Sequence, residues 1–203
     1  MQDFSDFQSV VRFHGHTCPG LIIGYRMAKR AMEELGVKRS GDEELVAIVM
    51  NDTCAVDAVQ QVTGCTFGKG NLIFKDYGKH TFIFMNRKTG EAVRISESPS
   101  FEARKVDPAF YDLRGKVLFG EPTPEDVAEL QRRAPLVYDA MLRLPDEEIM
   151  IVRKARCELP HKARLFKSLV CESCGEKMAE PRARVADGKI VCMECFEEKY
   201  GGA

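Results

Sequence analysis

The side chains best suited to chemistry in this 203-residue chain are sulfur and imidazole, and they fall in two groups. At the carboxy-terminal end, Cys171-Glu-Ser-Cys174 and Cys192-Met-Glu-Cys195 form two C-x-x-C pairs with seventeen residues between them. Two-residue spacing lets both thiolates of a pair reach one ion from a tight turn. The interval is long enough for a hairpin that brings the pairs together, so four thiolates complete a tetrahedral site. Gly175 stands where a left-handed backbone turns such a knuckle, and Asp187-Gly188 marks a hairpin between 183–186 and 189–191. About thirty residues build no stable core of their own, so a structural zinc on Cys171, Cys174, Cys192 and Cys195 is expected to supply much of their folding energy. A site closed by four protein ligands leaves no position for a substrate.

The second group is His14-Gly-His16-Thr-Cys18-Pro-Gly20. Nothing in helix packing asks for two imidazoles and a thiol in five positions. Cys18 and Cys54 each stand at the expected start of a helix, where the dipole favours thiolate. Together with the imidazoles they could form a mixed site for zinc or iron with a position left open, as a catalytic site needs. The expected ligands are His16, Cys18 and Cys54, with His14 as a further ligand or as a partner behind them. Asp57, three residues after Cys54 on one helical face, would orient an imidazole or accept a proton. The competing readings are a redox thiol pair and ordinary buried thiols with His14 capping a helix.

The stretch Gly64-Cys-Thr-Phe-Gly-Lys-Gly70 invites a phosphate reading, but three residues separate its first glycines and Gly70 follows Lys69. A P-loop needs four, and Ser or Thr after the lysine, so that motif is rejected. Lys69 and the glycine N–H groups stay candidates for the neighbourhood of an anionic ligand, with structural turn-making the equal alternative; Cys65 and His80 are weaker and stand outside the expected ligands.

The elements that must position these groups follow from periodicity and punctuation. Helices are expected over 3–13 and 19–35, the second with Pro19 in its first turn and Gly36 at its stop. A buried strand is expected at 45–50, a helix at 55–62 ended by Gly64, and strands at 71–75, 81–85 and 92–96 as an antiparallel meander. Thr123-Pro124-Glu125-Asp126 opens a helix to about 144 that Pro135 should kink or divide, and a strand returns at 149–157. The second cysteine pair begins a further helix through Tyr200. No steady βαβ rhythm is present, so the expected class is α+β: a mixed core with antiparallel strands and packed helices over 1–158, a linker over 159–170, and a finger over 171–203.

Thirty basic and thirty-one acidic residues give a net charge of -1, with no bulk attraction to nucleic acid or anionic membrane. Residues 171–203 carry five basic and seven acidic side chains, net -2, which disfavours a phosphate-binding face there. Arg153 to Lys167 holds six basic residues and one acid. A solvated linker is preferred over a nucleic-acid contact. The amino-terminal residues lack a basic stretch followed by an apolar one, and no apolar run approaches the roughly 18 residues of a membrane span. A reducing cytoplasm is the expected compartment, where metal binding outranks disulfides.

The segment His14–Gly20, with Asn51-Asp-Thr-Cys-Ala-Val-Asp-Ala-Val-Gln60, Thr63–Asn71 and Asp76-Tyr-Gly-Lys79, resembles the E-subunit family of formylmethanofuran dehydrogenase over residues 1 to about 150. Residues 171–200 resemble the DksA/TraR-type zinc finger, of treble-clef-like form. The first resemblance implies an α+β core, often dimeric, whose cleft is lined by the His/Cys segments. It places His14, His16, Cys18, Cys54, Asp57, Gln60, Cys65, Lys69 and Asp76 on the family's motifs. It also implies association with a molybdenum or tungsten, molybdopterin-type redox enzyme of methanogenesis-related metabolism, as an accessory or partner and not as its catalytic component. The alternatives are a stand-alone metalloenzyme using His16, Cys18 and Cys54, and a zinc-finger regulator that binds nucleic acid.

Overall fold

A computed structural model describes residue 4 and residues 6–201. They divide into two compact units between Lys162 and Ala163. The first unit opens with α1 (Phe7–His14) and α2 (Pro19–Glu34), followed by strand β1 (Leu45–Val49) and α3 (Cys54–Thr63). Strands β2 (Leu72–Phe74), β3 (Thr81–Asn86) and β4 (Ala92–Glu97) lead to α4 (Pro108–Phe119), α5 (Pro124–Arg143), the single turn α6 (Asp146–Ile149) and β5 (Met150–Ala155). The expectation for residues 3 and 5 as part of the first helix lies outside the described residues.

The five strands form one sheet in the order β2-β1-β3-β4-β5. All pairings are antiparallel except β1 with β2, which run parallel. The expected meander through 71–75 is therefore wrong at its first strand. β2 follows α3, and a helical crossover returns the chain parallel to the strand that preceded it, beside β1 and away from β3. One face of the sheet packs on the helices: Leu45, Ala47 and Val49 with Phe82, Phe84, Val93 and Ile95 meet Met27, Ala28, Ala31, Ala55 and Val59. The other face, with Val46, Ile48, Met50, Ile83 and Met85, has Leu159 packed against it.

The helix pair that carries the site residues is set by two glycines. At Gly24, an added Cβ would lie 2.4 Å from the Ala55 carbonyl oxygen, so α2 and α3 cross at the one residue type that permits it. Gly15 (φ +99°) ends α1 in the left-handed region, and its N–H bonds the Val11 carbonyl at 2.7 Å. The chain reverses there, directly between His14 and His16.

Two further findings bear on the expected elements. Helix α5 runs through Pro135 to Arg143 without dividing. Pro135 is exposed, and Gln131, whose carbonyl loses its donor, is also exposed, so water can reach that carbonyl. The end of α5 is held by Arg26, only 3% exposed, which donates to the carbonyls of Met141, Leu142 and Leu144 and pairs with Asp146. Helix α4 is absent from the expected elements, yet Asp107-Pro108 starts it as Thr123-Pro124 starts α5. The Asp107 carboxylate accepts the Phe110 N–H at 3.0 Å.

The second unit contains β6 (Ser168–Val170) paired with β7 (Lys177–Ala179), the hairpin β8 (Arg184–Ala186) and β9 (Lys189–Val191), and α7 (Met193–Tyr200). Ser168–Val170, expected in the linker, thus belongs to the finger. At the other end of that segment, the Pro160 carbonyl accepts from Arg87 and Leu159 packs on the sheet, so these residues belong to the first unit.

Candidate functional site

In the finger, the four sulfurs of Cys171, Cys174, Cys192 and Cys195 lie within 4.8 Å of one another. Cys174 Sγ and Cys192 Sγ are 3.9 Å apart, close to the roughly 3.8 Å that a tetrahedron of 2.3 Å zinc–sulfur bonds requires. Backbone amides already point at the sulfurs: Ser173 and Cys192 donate to Cys171 Sγ, and Cys195 donates to Cys192 Sγ. Amide donors hold Cys171 down to about 6. Cys195 is pushed up to about 12, first by its bond to Cys192. Four crowded thiols do not ionise together without a cation between them, and zinc is the cation that this donor set fits. With all four positions taken by sulfur, its contribution is folding energy.

The amino-terminal cluster is assembled from three elements. His14 is the last residue of α1, His16 lies just past the Gly15 reversal, and Cys18 caps the start of α2. One ligand atom from each of these three residues falls within 4.8 Å of the others. The two imidazole centroids are 4.5 Å apart. Asp57, in the first turn of α3, accepts from His14 Nδ1 at 2.7 Å, and its other oxygen accepts from Gln60 at 3.3 Å. A carboxylate only accepts, so Nδ1 carries a proton, and in the neutral imidazole the lone pair is then on Nε2. That Nε2 is buried and has no hydrogen-bond partner among the described residues.

This arrangement revises the expected ligand set. His14 stands inside the trio, with Asp57 behind it, whereas Cys54 stands beside it. Cys54 is near enough to Cys18 to push that thiol up, and its Cβ lies at ordinary contact distance, 3.6 Å, from where a Cβ on Gly20 would stand. The Cys18 thiol is pushed up, first by burial, and the Leu21 N–H at the helix N-terminus opposes this only in part. The expectation of a dipole-favoured thiolate therefore holds for the direction of one contribution and not for the balance. Lys69 is elsewhere: its ammonium lies 3.4 Å from the Ser40 carbonyl and 3.5 Å from that of Gly41. Asp76 lies on an exposed loop, and His80 pairs with Glu97. Cys65 is fully buried, donates to the Leu45 carbonyl at 3.4 Å, and is pushed up to about 11 by burial, as befits a packing residue.

Beside His14 opens a cleft of about 380 Å³ lined by Asn51, Asp52, Cys54, Asp57, Phe67 and Phe74 among others. Sequence reasoning missed Asp52, Phe67 and Phe74. The first two lie inside the motifs 51–60 and 63–71, but which way they face depends on the parallel β1–β2 pairing, which the sequence pattern does not display. It also missed Arg114, on α4, whose charge reaches Cys18, Tyr111 and Tyr138.

The pattern of the family described as "FmdE, Molybdenum formylmethanofuran dehydrogenase operon" matches residues 13–151. The chain belongs to the FmdE family. Residues 164–201 match the prokaryotic DksA/TraR C4-type zinc finger. The FmdE chain is 34% identical over 193 residues to a protein of Archaeoglobus fulgidus named "Probable S-adenosyl-L-methionine-binding protein". That match covers 93% of the chain and 51% of the relative, so the chain spans about half the length of the curated relative it matches. Among solved structures, a tungsten formylmethanofuran dehydrogenase FmdE-like protein from Syntrophus aciditrophicus shares the fold, with a TM-score of 0.58 at 24% identity. The likeness covers 97% of this chain and 92% of that one. The chain thus joins a mixed α+β FmdE core to a four-cysteine zinc finger. Among the described residues, no helix is long and apolar enough to cross a membrane.

Proposed function

We propose that the FmdE unit binds a second transition-metal ion, zinc or iron, through His14 Nε2, His16 and Cys18, leaving a coordination position open. The observation that carries this reading is a buried His14 Nε2 with no hydrogen-bond partner among the described residues, on an imidazole that Asp57 holds through Nδ1 and that lies beside His16 and Cys18. An orphaned acceptor of this kind costs about 1–3 kcal/mol where nothing meets it. A carboxylate behind an imidazole is the usual support of a metal-bound histidine. A metal held there would supply Lewis-acid polarisation of a bound group or water, with Asp57 fixing the His14 tautomer and Cys54 outside the ligand set.

The test is elemental analysis of the full chain. Wild type is expected to hold one more ion per chain than Cys18→Ser or His14→Ala, with the finger metal retained in both. Equal metal in wild type and both variants would rule out the second site.

The wider role we infer is that of an accessory or partner to a molybdenum or tungsten redox enzyme. It is supported by the family's description, which ties it to a molybdenum formylmethanofuran dehydrogenase operon. Affinity isolation from native cells is expected to recover a large molybdopterin-type enzyme together with the chain, which is expected to be a homodimer. The cleft beside His14 favours one other reading, a stand-alone metalloenzyme. Recovery of the chain alone, with metal-dependent turnover, would select it.

A further inference from the structure

The cleft is built where a parallel strand pair ends. β1 and β2 run parallel from Ala47↔Leu72 to Val49↔Phe74, while β3, on the other side of β1, runs antiparallel. Open α/β sheets receive ligands in the crevice outside the carboxyl ends of their parallel strands, where the connections diverge, and the β1–β2 pair reproduces that arrangement locally. Val49 and Phe74, the last residues of the two strands, both line the cleft, with Asn51, Asp52 and Thr53 from the turn after β1.

Two aromatic rings are left open at this place. Phe67 is 64% exposed and Phe74 is 41% exposed. Neither makes a ring contact with another aromatic side chain among the described residues. Such rings beside a hollow offer π faces on which a flat ring stacks. The charge of the lining is one-sided: it includes the carboxylates of Asp52 and Asp57 and neither lysine nor arginine. Asp57 is engaged by His14 and Gln60, whereas Asp52 is exposed and has no hydrogen bond or ion pair among the described residues. A phosphate entering here would exchange water for a field of its own sign. Hydroxyl or amino hydrogens would find an acceptor.

We infer that the cleft binds a small molecule with a flat heteroaromatic ring and hydroxyl or amino donors, neutral or cationic, and without a phosphate. The ring lies against Phe67 and Phe74, the donors meet Asp52, and the inner end faces His14. This inference names the ligand class of the proposed metal centre and rests on that reading for the inner end alone.

The test uses the full chain, with metal content measured on every sample, and calorimetric titration with four matched pairs. Adenosine, guanosine, nicotinamide riboside and riboflavin are each compared with their 5′-monophosphate. At least one unphosphorylated member is expected to bind, with its phosphate weaker by about tenfold or more. Asp52→Asn is expected to narrow that gap to about threefold or less, and Phe67→Ala to weaken the binding member by about tenfold, since one ring face is lost. A phosphate form that binds as tightly as its partner overturns the inference. So does a gap unchanged in Asp52→Asn, or the absence of binding by all eight compounds at millimolar concentration. Samples that hold the second metal yet bind no ring compound sink the ligand inference alone; samples that bind one without holding that metal sink the metal reading alone.

Discussion

The two clusters differ in how much of the fold it takes to assemble them. In the finger, each C-x-x-C pair is a local turn, and one hairpin brings the pairs together. In the FmdE unit, His14, His16 and Cys18 are also local, but what makes them a site is distant in sequence. Asp57 comes from α3, Cys54 from the start of the same helix, and the cleft from the ends of two strands. A closed, locally encoded site holds its segment folded. One assembled by the tertiary fold can leave a position open, because the fold and not the metal sets the ligand positions.

The largest effect that tests this contrast is removal of the finger metal. Structural zinc in such modules contributes about 10–16 kcal/mol at neutral pH, more than a unit of this size has from packing. Cys174→Ser, or a strong chelator, is expected to unfold residues 163–201. Proteolysis would then cut within that segment while the melting transition of the FmdE unit stays in place. A finger that resists protease after metal loss would show that its small cluster of Cys171, Ala186 and Val191 holds the fold unaided.

The opposite experiment perturbs the fold that assembles the other site. Gly24→Ala puts a methyl group 2.4 Å from the Ala55 carbonyl, so α2 and α3 must separate. The expected cost is roughly 1–3 kcal/mol by chemical denaturation. Because α3 also carries Cys54 and Asp57, second-site metal affinity is expected to fall with it, while the finger metal is retained. Unchanged stability would mean that the helix contact yields more easily than close packing permits.

These two outcomes bear on what is legible in the sequence. The finger can be read down to its ligands, its Gly175 knuckle and its Asp187-Gly188 hairpin, because each is a short-range signal. Most helices and strands of the first unit are legible for the same reason. The strand order is not: a three-residue strand such as Leu72–Phe74 has no periodicity that says which neighbour it takes. From that follows the misplacing of Lys69, which shares a glycine-rich stretch with Phe67 yet turns to the Ser40–Gly41 carbonyls. Spacing alone also leaves His14 outside the expected first three ligands. The Gly15 reversal, which turns its imidazole toward Cys18, is a backbone event that spacing does not display.

A smaller and more selective effect is expected from Asp57→Asn. The amide still reaches His14 but no longer enforces a protonated Nδ1, so the lone pair on Nε2 is no longer fixed. Losing such a supporting carboxylate costs about 10–100-fold in metal affinity. Competition with a chromophoric chelator would measure it, and the midpoint of thermal unfolding without the second metal should barely move. If affinity is unchanged, His14 is oriented by packing alone.

The smallest effect separates Lys69 from the site altogether. Lys69→Met is expected to leave second-site metal binding unchanged, since the ammonium faces the loop between α2 and β1. What its charge does reach is Glu44, whose carboxyl is held down to about 2, first by the Ser40 hydroxyl at 2.6 Å, then by the Asp42 N–H, with Lys69 a minor contributor. The folded state lowers this group below its ordinary 4.5. Its stabilising contribution is therefore complete above pH 4.5 and is lost as pH falls toward 2. Carboxyl titration by NMR should place the Glu44 midpoint far below that of an ordinary glutamate. Ser40→Ala should raise it substantially and Lys69→Met only slightly. A large rise in Lys69→Met would make the ammonium, and not the hydroxyl, the group that organises this loop, and a loss of second-site metal in that variant would return Lys69 to the site.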